Sequence, residues 1–206
     1  MSMPATANTD ITSAIAEAQA RFTAANPNSQ AQLEKASKVL PGGNTRTVLF
    51  YPPFPLTMTK GEGCHLWDLD GHQYIDFLGE YTAGLYGHSN PIIRAALDNA
   101  LDNGIVMGGQ NRAEAGLASA IVDRFPAIER VRFTNSGTES NLMALGAARA
   151  FTGRDKVMVF DGAYHGGVLY FAHGGSPVNA PFQFVYAPYN DAPGMIKAIS
   201  ENAGDL

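Results

Sequence analysis

Cysteine is nearly absent from this sequence. Cys64 is its only thiol, so an internal disulfide is impossible and a cysteine-rich metal site has no ligands. A reducing, cytoplasmic setting is the expectation, with no bound metal and with Cys64 as a small packing residue. Charge is scarce too, at 16% of residues against roughly 25% in an average soluble domain, which implies that something covers much of the surface. The net charge of -5 gives no global pull toward nucleic acid or an anionic membrane, so any anion site must be local, and neither partner is expected. No apolar run approaches the ~18 residues that a bilayer span needs. Asp10 and Glu17 precede the first basic residue, Arg21, a pattern that fits neither a secretory signal nor an acid-poor transit peptide.

What is present is a chain of 206 residues, 45% hydrophobic and rich in glycine, long enough for one full core. Residues 9–25 read as an Ala-rich helix, and a short helix within 26–45 ends at Leu40-Pro41-Gly42-Gly43. Gly61-Glu62-Gly63 and Asp70-Gly71 sit between alternating runs such as Leu66, Trp67, Leu69 and Tyr74, Ile75, Phe77, which predicts a small antiparallel meander. Ser89-Asn90-Pro91 opens a helix carrying Ile92, Ile93, Leu97 and Leu101, and a second helix runs from Arg112 to Phe125, stopped by Pro126. Strand and helix then alternate: strand 131–134, helix 138–151, strand 156–160, a glycine-bearing loop, strand 183–187 and helix 192–202. That order predicts an α/β fold with a mostly parallel sheet and flanking helices behind the meander, divided as residues 1–88 and 89–206.

The junction Asn135-Ser136-Gly137-Thr138 carries the chemistry. Ser136 and Glu139 stand in S-x-x-E spacing, so the hydroxyl can accept from an N–H one turn in while the carboxylate reaches back to the cap. Gly137 lets backbone approach an anion, and Ser136 and Thr138 add hydroxyls at the positive end of the helix dipole. The same spacing also serves an ordinary capping box with no ligand. One strand later, Tyr164 and His165 lie among Gly162, Gly166 and Gly167, where an aromatic ring could stack on a planar ligand and an imidazole could donate to it. Taken singly, each also reads as a structural residue.

The run "FTNSGTESNLMALGAARAFTGRDKVMVFDGAYHGG" resembles the cofactor region of class III (subgroup II) aminotransferases, fold type I enzymes that use pyridoxal 5'-phosphate. "GEGCHLWDLDGHQYIDF" and "GHSNPIIRAAL" are similar to the small N-terminal sheet and the lead-in to the large domain of the same family. The resemblance implies that Ser136, Gly137 and Thr138 bind the cofactor phosphate and that Tyr164 stacks on the pyridine ring with His165 beside it. "LPGGNTRTVLFYPPFPLTMTKGEG" with "GEYTAGLYGHS" is most similar to β-amino acid aminotransferases of the β-phenylalanine type. That likeness implies Arg46 as the guanidinium receiving a substrate carboxylate, a role its planar fork suits, with Val48 and Tyr81 lining the pocket. Amino acid and keto acid substrates and a homodimer follow from the resemblance, with "GIVMGGQNRAEAG" near the subunit contact. Glutamate-1-semialdehyde aminomutase is the alternative enzyme, and Asn44-Thr45-Arg46-Thr47 departs from the order expected of its loop. A noncatalytic module holding a phosphorylated ligand is the alternative from another class.

Pyridoxal chemistry needs a Schiff-base lysine and an acidic partner for the pyridine nitrogen. Lys35, Lys38, Lys60, Lys156 and Lys197 fall on helices, by the hairpin or at the wrong strand end, so no catalytic residue is assigned. The chain reads as the N-terminal half of an aminotransferase, inactive alone, with the lysine expected in the missing C-terminal half.

Overall fold

A computed structural model describes residues 10–206, apart from the Thr47 side chain. The chain divides by contacts into two compact units, one up to Gly108 and one from Gly109. The sequence-based division after residue 88 gave the helix at 91–102 to the second part, and that helix belongs to the first unit. The N-terminal segment read as lacking a leader signal lies largely outside the described residues, as does Thr9 of the expected first helix.

In the first unit, α1 spans Ile11–Ala25, and the Asp10 carboxylate accepts from the N–H groups of Thr12 and Ser13 at 3.2 and 3.3 Å. Those bonds satisfy donors that no helical turn can reach. Helix α2, Pro27–Ala36, begins with a proline whose missing N–H costs nothing at that position, but Asn26 offers it no side-chain cap. The cap arrives from elsewhere: Asp70 in the hairpin turn accepts from Asn28 N at 2.8 Å, Ser29 N at 3.0 Å and Ser29 Oγ at 2.8 Å. Phe22 on α1 packs against Phe54, with ring centroids 5.0 Å apart.

The meander forms as β1 (Met58–Glu62), β2 (His65–Asp68) and β3 (Gln73–Ile75), antiparallel in that order. Gly61 and Glu62, read as turn residues, lie in β1, and the chain reverses at Gly63-Cys64. Cys64 is exposed in that turn rather than serving as a buried filler, because a reversal outside the sheet has nothing to pack on. Under the second reversal, Asp68 is 2% exposed and accepts from Asp70 N, His72 N, His72 Nδ1 and Tyr74 Oη at 3.0, 2.8, 2.9 and 2.7 Å. Helix α3, Pro91–Asp102, has Asn90 as its N-cap, and the apolar face formed by Ile93, Leu97 and Leu101 is exposed.

The second unit contains α4 (Arg112–Arg124), α5 (Gly137–Thr152), β4 (Lys156–Phe160), β5 (Gln183–Ala187) and α6 (Ala192–Asn202). Strands β4 and β5 pair in parallel, from Lys156 opposite Gln183 to Phe160 opposite Ala187. The core gathers Val159, Leu169 and Phe171, with Leu142 and Leu145 from α5 and Phe184 from β5 packed on them. The expected strand over 131–134 is not one. Extended backbone becomes a strand only when a neighbour completes its ladder, and among the described residues nothing pairs with this segment. It still delivers the chain to the start of α5, so the turn that follows it is where the sequence pattern put it.

Candidate functional site

Ser136 is the N-cap of α5, and its hydroxyl accepts from Glu139 N at 3.2 Å. The Glu139 carboxylate reaches one residue further back than the expected cap, accepting from Asn135 N at 2.8 Å. Because that carboxylate ties down the residue before the cap, the turn is braced without using the cap's own donor. The first main-chain bond of the helix runs from Ser140 N to Ser136 O at 3.0 Å. The N–H groups of Gly137 and Thr138 precede it, and neither has an acceptor among the described residues. A Cβ built on Gly137 would meet nothing within 4 Å, so the approach to these amides is open. Two unclaimed N–H groups, flanking hydroxyls and the positive end of a long helix fit a phosphate, as a cofactor cup requires.

The loop after β4 is tied to this helix start. Thr138 Oγ1 accepts from Gly167 N at 3.0 Å, and Asn141 Nδ2 donates to the His165 carbonyl at 2.8 Å. Tyr164 makes an isolated bridge with Tyr170, stands edge-on to that ring at 6.0 Å and remains 56% exposed, which leaves ring surface for a flat ligand. His165 is exposed, and its ring lies 6.2 Å from that of Phe171. Ser136, Gly137 and Thr138 are thus joined by hydrogen bonds to the segment that carries Tyr164 and His165.

Arg46, Val48 and Tyr81 come together in the first unit. Arg46 Nη1 makes an ion pair with Glu80, and Tyr81 Oη donates to the Val48 carbonyl at 3.4 Å. The backbone there is unusual: Gly79, Glu80, Tyr81 and Thr82 have φ of 52, 51, 53 and 74°, a full left-handed turn. Each of its residues with a Cβ costs roughly 1–2 kcal/mol in that conformation, so the surroundings must enforce it. Asp76 does so in part, accepting from Leu78 N and Gly79 N at 2.9 Å each and from His88 Nε2 at 2.9 Å. The Gly79 N–H above all, with His88 adding, holds the Asp76 carboxyl below its ordinary value against the opposing effect of burial. Glu80 also lines a cavity of about 640 Å³ with Asn44, Leu49, Tyr51, Leu66 and Leu78.

Lys60, Lys156 and Lys197 are ion-paired with Glu62, Asp205 and Glu201, and Lys156 opens β4 at the end opposite the Tyr164 loop. Among the described residues no group of acidic, histidine or cysteine side chains could hold a metal ion, and no helix is long and apolar enough to cross a membrane. Sequence reasoning missed Glu80, Asn141 and the bond from Gly167 to Thr138. The Gly166-Gly167 doublet was a signal for close approach, whereas nothing local marks Glu80 as the partner of Arg46.

An open helix start that follows the extended segment 131–134 and is braced to an aromatic loop suits a phosphorylated ligand with a flat ring. The chain belongs to the class-III aminotransferase family, whose model matches residues 50–197. It is similar to a β-phenylalanine transaminase of Variovorax paradoxus, 58% identical over 182 residues that make up 88% of this chain and 42% of that protein. The solved structure of a β-phenylalanine aminotransferase from the same organism superposes with a TM-score of 0.92 at 54% identity, covering 96% of this chain and 46% of that one. A glutamate-1-semialdehyde 2,1-aminomutase of Methanocaldococcus jannaschii is more distant, 36% identical over 187 residues, or 84% of this chain and 44% of that protein. The chain therefore spans less than half the length of the relatives it matches. Its fold is that of the fold type I aminotransferases, represented here in part.

Proposed function

We propose that this chain supplies the phosphate cup and ring wall of a pyridoxal 5'-phosphate-dependent aminotransferase. The full-length protein then moves an amino group from a β-amino acid of the β-phenylalanine type to a keto acid such as 2-oxoglutarate or pyruvate. The observation that carries this reading is the pair of unclaimed N–H groups at Gly137 and Thr138, on a helix start hydrogen-bonded to the Tyr164 loop. Ser136 and Thr138 would hold the phosphate, Tyr164 would cover one face of the ring, and His165 would stand beside it. When bound, the cofactor supplies the electron sink that lets an amino group leave one carbon and be taken up by another.

Arg46 would receive the substrate carboxylate, with Val48 and Tyr81 shaping the pocket beside it. In this chain the guanidinium is paired with Glu80, a carboxylate that an incoming substrate carboxylate would have to displace or join. The aminomutase reading is less well supported, by a relative of lower identity. A homodimer is the proposed assembly, in keeping with apolar side chains such as Phe77 and Val106 that are 93% and 91% exposed.

Steady-state kinetics of the full-length protein test this. Arg46→Ala should raise KM for a β-amino acid on the order of 100-fold, the worth of a charge-assisted bidentate contact, and leave an ω-amine without a carboxylate unaffected. A wild-type preference for such amines, or an unchanged KM in the variant, counts against the assignment.

A further inference from the structure

The two bonds that join α5 to the loop after β4 have different capacities. Thr138 Oγ1 accepts from Gly167 N, so its own proton remains for an anion at the helix start. Asn141 is exposed, and its amide donates to the His165 carbonyl. The two residues are three apart on α5 and so lie along one face of it. Gly166, buried between these contacts, has φ +130°, and a Cβ there would fall 2.4 Å from Thr138 Oγ1 and 2.8 Å from Thr138 Cα. Only a residue without a side chain lets the loop come this close. The loop also closes on itself, through His165 N to Leu169 O at 2.8 Å and Leu169 N to Gly166 O at 3.0 Å. Residues 164–167 are therefore held in register with the first turns of a rigid helix.

We propose that Asn141 is a positioning residue: through the His165 carbonyl it sets the spacing between the anion-binding start of α5 and the aromatic wall at Tyr164. The spacing then selects a ligand whose phosphate and flat ring are joined by a short linker. This inference rests on the proposed function. A bare phosphate needs only the helix start and does not sense where the loop stands. A phosphorylated ring touches both and does.

The test is a pair of affinities measured by calorimetry on the full-length apoprotein, for inorganic phosphate and for pyridoxamine phosphate. Asn141→Ala should raise the Kd of pyridoxamine phosphate about tenfold, the scale of one lost hydrogen bond, and leave that of phosphate within about twofold. Gly166→Ala, whose methyl would press on Thr138 itself, should instead weaken both ligands. Equal weakening of both ligands, or of neither, in Asn141→Ala overturns the positioning role, since general disruption would not distinguish them. Ser136→Ala is the control for the underlying site and should weaken both ligands. If wild type binds neither, or Ser136→Ala changes neither, the cofactor-site reading fails instead.

Discussion

The Asp68 cluster and the Ser136 turn use the same materials, small polar side chains and backbone N–H groups, and differ in whether the chain completes them. At Asp68 four donors converge on one buried carboxylate, so the cluster is closed to any outside ligand. Burial alone would raise the Asp68 carboxyl, but the hydrogen bonds from Tyr74 and His72 outweigh it and keep the group below its ordinary value. Tyr74 in turn is pushed up to about 12 by its burial and by Asp68. At Ser136 the cap is satisfied by Glu139, yet the next two amides point to no acceptor among the described residues. A closed cluster holds shape, and an open one of like composition leaves amides that the described residues do not use.

The largest effect that should separate them is on stability. Asp68→Ala leaves the Tyr74 hydroxyl, the His72 ring and two backbone donors without their acceptor, and should cost about 3 kcal/mol in denaturant unfolding. A loss below about 1 kcal/mol would show that water completes the cluster as well as Asp68 does.

A smaller effect concerns pH. The lowered Asp68 carboxyl contributes stability that is present above the ordinary value of 3.8 and disappears as pH falls through its folded value. The raised Tyr74 phenol contributes stability that is present below 10.0 and disappears as pH rises through about 12. Asp68→Asn should therefore flatten the acid limb of a stability-against-pH curve, and Tyr74→Phe the alkaline limb. An acid limb that survives Asp68→Asn unchanged assigns that limb to other carboxylates.

The smallest effect is the sharpest for the open turn. Gly137→Ala puts a methyl into space that holds no neighbour within 4 Å, so the fold should be unchanged or gain up to about 1 kcal/mol from the better helix former. Phosphate affinity should nonetheless fall severalfold, because the methyl stands beside the exposed amides. A gain in stability with no loss of phosphate binding would mean that the anion does not approach from that side.

Local signals made much of this structure legible. Strands 156–160 and 183–187 and the helix at 192–202 have the bounds that their patterns indicate, since proline, glycine and Asx signals act within a few residues. Ser136 was legible as a cap for the same reason, and Gly153, at φ 68°, as the stop of α5. The segment 131–134 was misread because apolar β-branched composition records a preference and not a partner. Glu80 on Arg46, Asn141 on His165 and Asp70 on α2 were invisible because each joins residues far apart in sequence, with nothing at either end to name the other. Of the candidate site, the junctions were legible and the braces between them were not.

The capping of α2 by Asp70 has a consequence for how this unit assembles. Its start signal comes from a reversal 42 residues downstream, so the first turn of α2 is anchored only when that reversal has closed. Amide exchange at Asn28 and Ser29 would then report on the hairpin, and a chain arrested before the reversal emerges would leave this helix frayed at its leading end.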